Sequence, residues 1–368
     1  MMDIYLFPIR MAIFTFLALS TLLTTPYLIF QYRKYGSISW YRTLILFSFF
    51  LYLLCAYYLV VLPLPDPETL EPMTNLRQHI NLNPLRAYSV FLTNTSLVLS
   101  QPRTYLTALT EMVFLEPFFN VLLTVPFGFY LGYYFKLSFK KTILFSFLLT
   151  VFFELTQLSA LYGFYPRPYR YADINDIMHN TLGGMIGFWI YKRFSHLLPS
   201  RESIDLKNIK KSEHVTYGRR FFAFMIDYYI VSILNRLLTH RIIDHEADSQ
   251  LAVFTLHIVL LGYFIIAQLF FKKTIGQKVV HTKIISDHQS FSYTFSIIIR
   301  NLLFMMIMFI ISYLNYLVYN RVYNGLYAVL LLCLVLLIGV DAWRYLRKKQ
   351  SLWYERISKT RHINTKKI

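Results

Sequence analysis

The stretch FELTQLSALYGFYPRPYRYADINDIMHNTLGGMIGFW, residues 153–189, decides how the chain is read. It closes one apolar segment, turns, and opens another. At the facing ends it places Glu154, Gln157, Arg170, Asp173, Asp176 and Asn180. A charge in apolar surroundings is costly unless it is paired or hydrogen-bonded. These residues therefore predict a structured polar cluster at the mouth of a helical hairpin.

Composition explains the apolar surroundings. The chain has 368 residues, 56% hydrophobic and 15% charged, with a mean hydropathy of +0.45. Soluble domains carry about 25% charged residues. Apolar runs near ~20 residues, the length that crosses a bilayer, recur along the sequence. The fold class expected is an all-α polytopic membrane protein. Its 33 Phe and 30 Tyr suit lipid-facing and interfacial positions. Cys55 and Cys333 both fall inside apolar runs, so free thiols are expected, with no disulfide or metal role. The N-terminal run is longer than a signal peptide, carries Asp3 where positive charge belongs, and reads as a retained helix.

About nine spans are expected, near 8–30, 43–62, 113–135, 142–162, 174–192, 221–238, 252–271, 297–318 and 325–343. The net charge of +18 could suggest nucleic acid, but its distribution follows membrane topology. With the N-terminus outside, the inner segments and Lys192 hold 28 of the 37 Lys and Arg, and no lysine lies outside. The expected orientation is N-out and C-in, with no nucleic-acid partner. A basic stretch, 193–217, separates a five-helix region (1–192) from a four-helix region with a basic tail (218–368).

On the fifth span Asp173, Asp176, Asn180, Gly183 and Gly187 step by three and four, a stripe about 21 Å long at 1.5 Å per residue. Gly183 and Gly187 form a G-x-x-x-G, which admits a second helix closely. Glu154 and Gln157 share one helix face. Asn120 joins them from the third span, ahead of Pro126 and Gly128, and Asn81 and Pro84 come from the outer loop 63–112. That loop is long enough to act as a lid or pocket wall. Ionisable groups within a membrane default to a functional reading. Several readings stay open: an ion pair of Arg170 with Asp173 or Asp176, helix capping by Asp173, and acid–base work by Glu154. No catalytic nucleophile stands out. His179 beside Asp176 lacks a compact ligand spacing, so neither metal nor cofactor is expected.

The runs N-x-N-P (81–84), N-x5-P-F-G (120–128), E-x-x-Q (154–157) and R-x-x-D-x-x-D-x-x-x-N-x-x-G (170–183) together resemble the VanZ family over residues 10–192. The resemblance implies an envelope protein of the bacterial plasma membrane linked to resistance against teicoplanin-type lipoglycopeptides. Its outer-leaflet pocket would bind a lipid-linked or lipid-tailed molecule. Arg170 would then meet a phosphate or carboxylate, while Asp173, Asp176 and Asn180 bond the polar head. Leu85 stands where that family often has Phe.

In the second region, R-x-x-A-x-x-x-D (Arg220, Ala223, Asp227), T-I-G-Q-K-V-V (274–280) and the Arg300–Asn301 pair resemble the RDD family, a group associated with transport. An arginine, Arg300 or Arg220, is expected to partner Asp227. The C-terminal motif departs from that family. SLWYERISKT has Glu355 in place of the second aspartate, which leaves Asp341 as an alternative. The resemblance offers transport through Asp227, Arg300 and Asp341 as a second function. A lipid-modifying enzyme built on Glu154 is a third. Membrane lipids are the expected environment throughout.

Overall fold

The computed structural model describes residues 2–66, 68, 70, 75–212, 215–242, 249–286, 292–319, scattered positions between 329 and 343, and 351–365. The chain divides into two compact units. The first comprises residues 1–24 and 40–204, the second 25–39 and 205–368, and the division falls inside the basic stretch 193–217.

The first unit is built on α1 (Met2–Tyr35, of which residues to 24 belong here), α2 (Trp40–Val61), α3 (Arg86–Asn94), α4 (Arg103–Ala108), α5 (Met112–Tyr133), α6 (Phe139–Leu158), the single turn α7 (Ala160–Gly163) and α8 (Ile174–Phe194). Helix α9 (Arg201–Ser212) spans the division, and Lys136 forms an ion pair with Glu202 at its start. In the second unit are α10 (Tyr217–Ile242), α11 (Ser249–Phe270), α12 (Ile275–Val279), α13 (Tyr293–Tyr319) and α14 (Trp353–Ile357). Two short two-stranded sheets interrupt the helical plan. Strand β1 (Ile80–Asn81) runs parallel to β2 (Ala172–Asp173), and β3 (Thr282–Ser286) runs antiparallel to β4 (Thr360–Asn364).

Six of the described helical segments are long and apolar enough to cross a membrane: Leu6–Tyr35, Trp40–Val61, Met112–Tyr133, Phe139–Leu158, Val253–Phe270 and Tyr293–Leu314. This is a multi-pass membrane protein. Helices form at the expected fifth and sixth spans too, as α8 and α10, but Asp176, His179 and Asn180 in one and Arg219, Arg220 and Asp227 in the other keep them below that apolar standard. Most of the expected ninth span, together with Arg321 and Cys333, lies outside the described residues. Cys55 is a free, half-buried thiol.

Small residues set the packing of the first unit. A Cβ on Gly183 would collide with the Val121 carbonyl, one on Gly187 with the Val125 carbonyl, and one on Gly128 with the Gly184 carbonyl. The backbones of α5 and α8 therefore meet with no side chain between them, which is what G-x-x-x-G spacing permits. Thr124 of α5 and Thr142, Ser146 and Thr150 of α6 are buried. In the second unit Val231, Leu260, Phe264 and Met305 form the apolar core.

Candidate functional sites

Helix α2 ends at Val61, and Pro63 and Pro65 follow. The last carbonyls of a helix have no partner within it. Here three side chains supply donors. Arg170 donates through Nη1 to the Val60 carbonyl (3.0 Å) and through Nη2 to that of Leu62 (3.2 Å). Gln157 Nε2 reaches Val60 (3.1 Å), and the Tyr169 hydroxyl reaches Val61 (2.8 Å). A cation at this end also suits the helix dipole. The chain reaches these positions by turning directly after Gln157. Ala160, Leu161 and Tyr162 have left-handed φ of 52°, 54° and 62°, followed by Gly163 at 86°. Each such non-glycine residue costs roughly 1–2 kcal/mol.

The carboxylates assemble separately. Asp173 accepts the Asn175 N–H (2.8 Å) and caps α8, as its position suggests. The β1–β2 pairing sets Asn81 opposite Asp173, and Asn81 Nδ2 donates to both carboxylate oxygens (2.8 and 2.9 Å). Glu154 is buried and accepts the Asp173 N–H (2.9 Å). Asn120 Nδ2 donates to Asp176 (2.5 Å), and Asn175 Nδ2 bridges the Asn83 carbonyl (2.9 Å) and Asp173 (2.7 Å). One turn further, Thr124 donates to the Asn180 carbonyl (2.5 Å). Three buried atoms here have no partner: Asn175 Oδ1, Asn180 Oδ1 and His179 Nδ1. From the outer loop, the α3 residue Tyr88 sets its ring edge-on to His179, with centroids 6.1 Å apart. The loop is tied at its far end, where Ser96 and Thr95 donate to Glu111 (both 3.0 Å). The bonds from Ser96 hold that carboxyl below its ordinary value.

In the second unit, Thr274, Ile275 and Gly276 wrap Asp227. The Thr274 hydroxyl donates to its Oδ2 (2.6 Å), while the Gly276 N–H (2.7 Å) and the Tyr263 hydroxyl (2.8 Å) donate to Oδ1. Thr274 and Gln277 close a capping box at α12. A side chain on Gly276 would strike the Ala223 carbonyl, which explains the glycine in T-I-G-Q. Glu355, fully buried, accepts from Arg220 Nη1 at 2.7 Å on both oxygens and from the Leu352 N–H (3.1 Å). Arg300 and His362 lie 3.8 and 3.7 Å from the same carboxylate.

The structure thus splits the expected outer cluster in two. Gln157 and Arg170 hold the end of α2, while Glu154, Asp173, Asp176, Asn81 and Asn120 form the carboxylate group. Asn180 continues its stripe, and Pro84 follows Asn83 at the loop. Among the described residues no ion pair links Arg170 to Asp173 or Asp176. Likewise no arginine partners Asp227. Hydroxyls and a backbone N–H do so instead, because α12 brings its free N–H groups to that carboxylate. Asp341 stands apart from Arg220 and Arg300; it accepts from the Trp353 N–H (3.0 Å) and Arg356 (3.3 Å). Glu355 occupies the place between the arginines. Sequence reading missed Tyr169, Arg219 and His362. Arg219, 1% exposed, donates to the Val280 and His281 carbonyls (2.7 and 3.0 Å) and to Asn364 (3.0 Å). Burial lowers the His362 imidazole well below its ordinary value, and Arg300, Arg220 and Arg219 add to this. Among the described residues no cluster of His, Cys, Asp and Glu is arranged to hold a metal ion.

Comparison with known proteins agrees with this two-part geometry. The sequence model of the VanZ/LLP1 family matches residues 49–196, and that of the RDD family matches residues 215–343. The chain is also similar to the Bacillus subtilis (strain 168) "Uncharacterized membrane protein YteJ". The two are 29% identical over 111 residues, which cover 27% of this chain and 68% of that protein. No solved structure matches the chain. The chain joins a VanZ-like region to an RDD-family region.

Proposed function

We propose that the VanZ-like region binds the polar head of a lipid-linked or lipoglycopeptide-like molecule at the outer leaflet of the bacterial plasma membrane. In doing so it contributes to resistance against teicoplanin-type antibiotics. The chain crosses the membrane nine times in this reading, N-out and C-in, with α8, α10 and the 325–343 segment added to the six strongly apolar spans. The carrying observation is the pair of buried carbonyl oxygens, Asn175 Oδ1 and Asn180 Oδ1, left unpartnered beside Asp173 and Asp176. Buried polar atoms are normally satisfied, and every one of these groups accepts. The ligand group that completes them is a donor, such as an ammonium. Arg170, engaged on the end of α2, shapes the pocket rather than meeting an anion. On the outward side of the last turns of α6, a groove of about 510 Å³ lined by Leu76, Phe152, Leu155 and Tyr162 accommodates a hydrocarbon tail.

Expressing the full chain in a teicoplanin-susceptible bacterium tests the reading. The parent protein raises the teicoplanin concentration needed to stop growth, and Asp176→Asn or Asn180→Leu, present in membranes at equal amount, reverses most of the gain. If the parent leaves susceptibility unchanged, the reading fails.

A further inference from the structure

We infer that the connection between α2 and α5 is a lipid anchor. Leu82, Leu85, Leu92, Leu99, Leu106 and Leu109 insert among the acyl chains of the adjoining leaflet. This follows if α2 and α5 cross a bilayer, whatever the carboxylate pocket binds. The six leucines are 48–81% exposed, Leu99 the most. Leu85, just before α3, and Leu92 lie two turns apart on one helix face. Leu106 lies on α4 and Leu109 at its end. An exposed apolar patch of this extent marks a membrane or protein contact.

Three observations select the membrane. First, α3 packs against α5, one of the helices long and apolar enough to cross a bilayer, and Tyr88 reaches His179, the sixth residue of α8. The connection thus lies alongside these helices. Second, residues 76–110 contain three arginines, Arg77, Arg86 and Arg103, all exposed, and no acidic residue. Arginine heads beside apolar surface suit the phosphates of a leaflet. A second copy docked on the same face would bring three more arginines and no acid to meet them. Third, the turn that carries Leu99 closes its backbone on its own groups. The N–H groups of Ser96, Leu97 and Val98 go to Glu111 (3.0 Å), Thr95 Oγ1 (3.2 Å) and Thr104 Oγ1 (2.9 Å). The Gln101 N–H donates to the Val98 carbonyl (2.8 Å), and the Tyr105 hydroxyl donates to that of Leu99 (2.8 Å). Hydrocarbon offers a backbone group no water to bond, so a non-helical turn enters it only with partners of its own.

The test adds single tryptophans to the full chain, reconstituted in phosphatidylcholine–phosphatidylglycerol vesicles. The four natural tryptophans are common to every variant and cancel in the comparison. Phospholipid brominated on its acyl chains quenches Leu92→Trp, Leu99→Trp and Leu106→Trp about twofold more strongly than Asn94→Trp, which points away from Leu92 on α3. Aqueous iodide gives the reverse order. Leu92, Leu99 and Leu106 stand on separate stretches of the connection, so each variant reads the anchor by itself should another fail to fold. Iodide quenching at the leucine positions as strong as at Asn94→Trp means that the connection faces water, and overturns the anchor. Shielding from both quenchers means that protein, such as a second copy, covers the leucines, and overturns it equally.

Discussion

In the first unit Arg170 donates to two backbone carbonyls, while in the second Arg220 donates to both oxygens of a fully buried carboxylate. The same side chain does different work because its surroundings differ. At the end of α2 the Val60, Val61 and Leu62 carbonyls take side-chain donors, and Pro63 and Pro65 in the exit carry no N–H. Around α10 the orphan group is Glu355 itself. The balance of donors and acceptors follows from that choice. The carboxylate cluster of α6 and α8 receives only amide and backbone donors and is left with spare acceptors, Asn175 Oδ1 and Asn180 Oδ1. The Arg300–His362 cluster has committed its carboxylate and is left with spare donors. Burial of a charged residue follows from an apolar sequence context. The identity of its partner does not.

The contrast is sharpened by removing one member of each pairing. Glu355→Ala leaves two arginines facing one another without their counter-ion. Removing one partner of a buried pair costs about 3–5 kcal/mol, so this variant shows the larger loss of Tm or of resistance to denaturant. Arg170→Met leaves no charge behind, only the Leu62 carbonyl without its donor, since Gln157 still reaches Val60. The loss is then about 1–3 kcal/mol, the range for unpartnered buried polar groups. If Arg170→Met destabilised more than Glu355→Ala, the account of Arg170 as a helix-end donor would be untenable.

Much of this was legible in the sequence, and the limits are physical. Segment length and hydropathy identify six described helical segments able to cross a membrane. The 3–4 spacing of Asp176, Asn180, Gly183 and Gly187 does become one stripe of α8, because a helix face is fixed by local periodicity, while Asp173 stands just before it as the cap. What sequence could not supply is pairing across long separations. The register Asn81 with Asp173 joins residues 92 apart. His362 meets Arg300 only because β4 pairs with β3, carrying Ile284 opposite it. No local signal marks that meeting. Arg219 and Arg220 are adjacent and chemically alike, yet one faces backbone carbonyls and the other Glu355, since consecutive helix positions point about 100° apart. The substitution of Glu355 for the expected aspartate looked like a weakness of the motif. In the structure the longer side chain still meets Arg220.

The smallest of the expected effects concerns pH. His362 sits among Arg219, Arg220, Arg300 and the Glu355 carboxylate, and its folded pKa lies below the unfolded value near 6.5. Protonating it would remove the acceptor for Arg300 Nη2 and set a fourth cation beside three arginines. The folded state therefore binds fewer protons than the unfolded state just below pH 6.5, and stability must fall as pH falls. The contribution is fully present above 6.5 and is lost toward the folded pKa, at no more than about 1.4 kcal/mol per pH unit. A Tm series from pH 7.5 to 5.0 on the parent and on His362→Gln isolates it, since the variant keeps a carbonyl acceptor for Arg300 but cannot titrate. The parent's Tm should drop more steeply below 6.5, with the two curves parallel above it. Superimposable slopes would mean that Glu355 neutralises the imidazolium well enough to cancel the arginines. The donor surplus of this cluster would then be smaller than its geometry indicates.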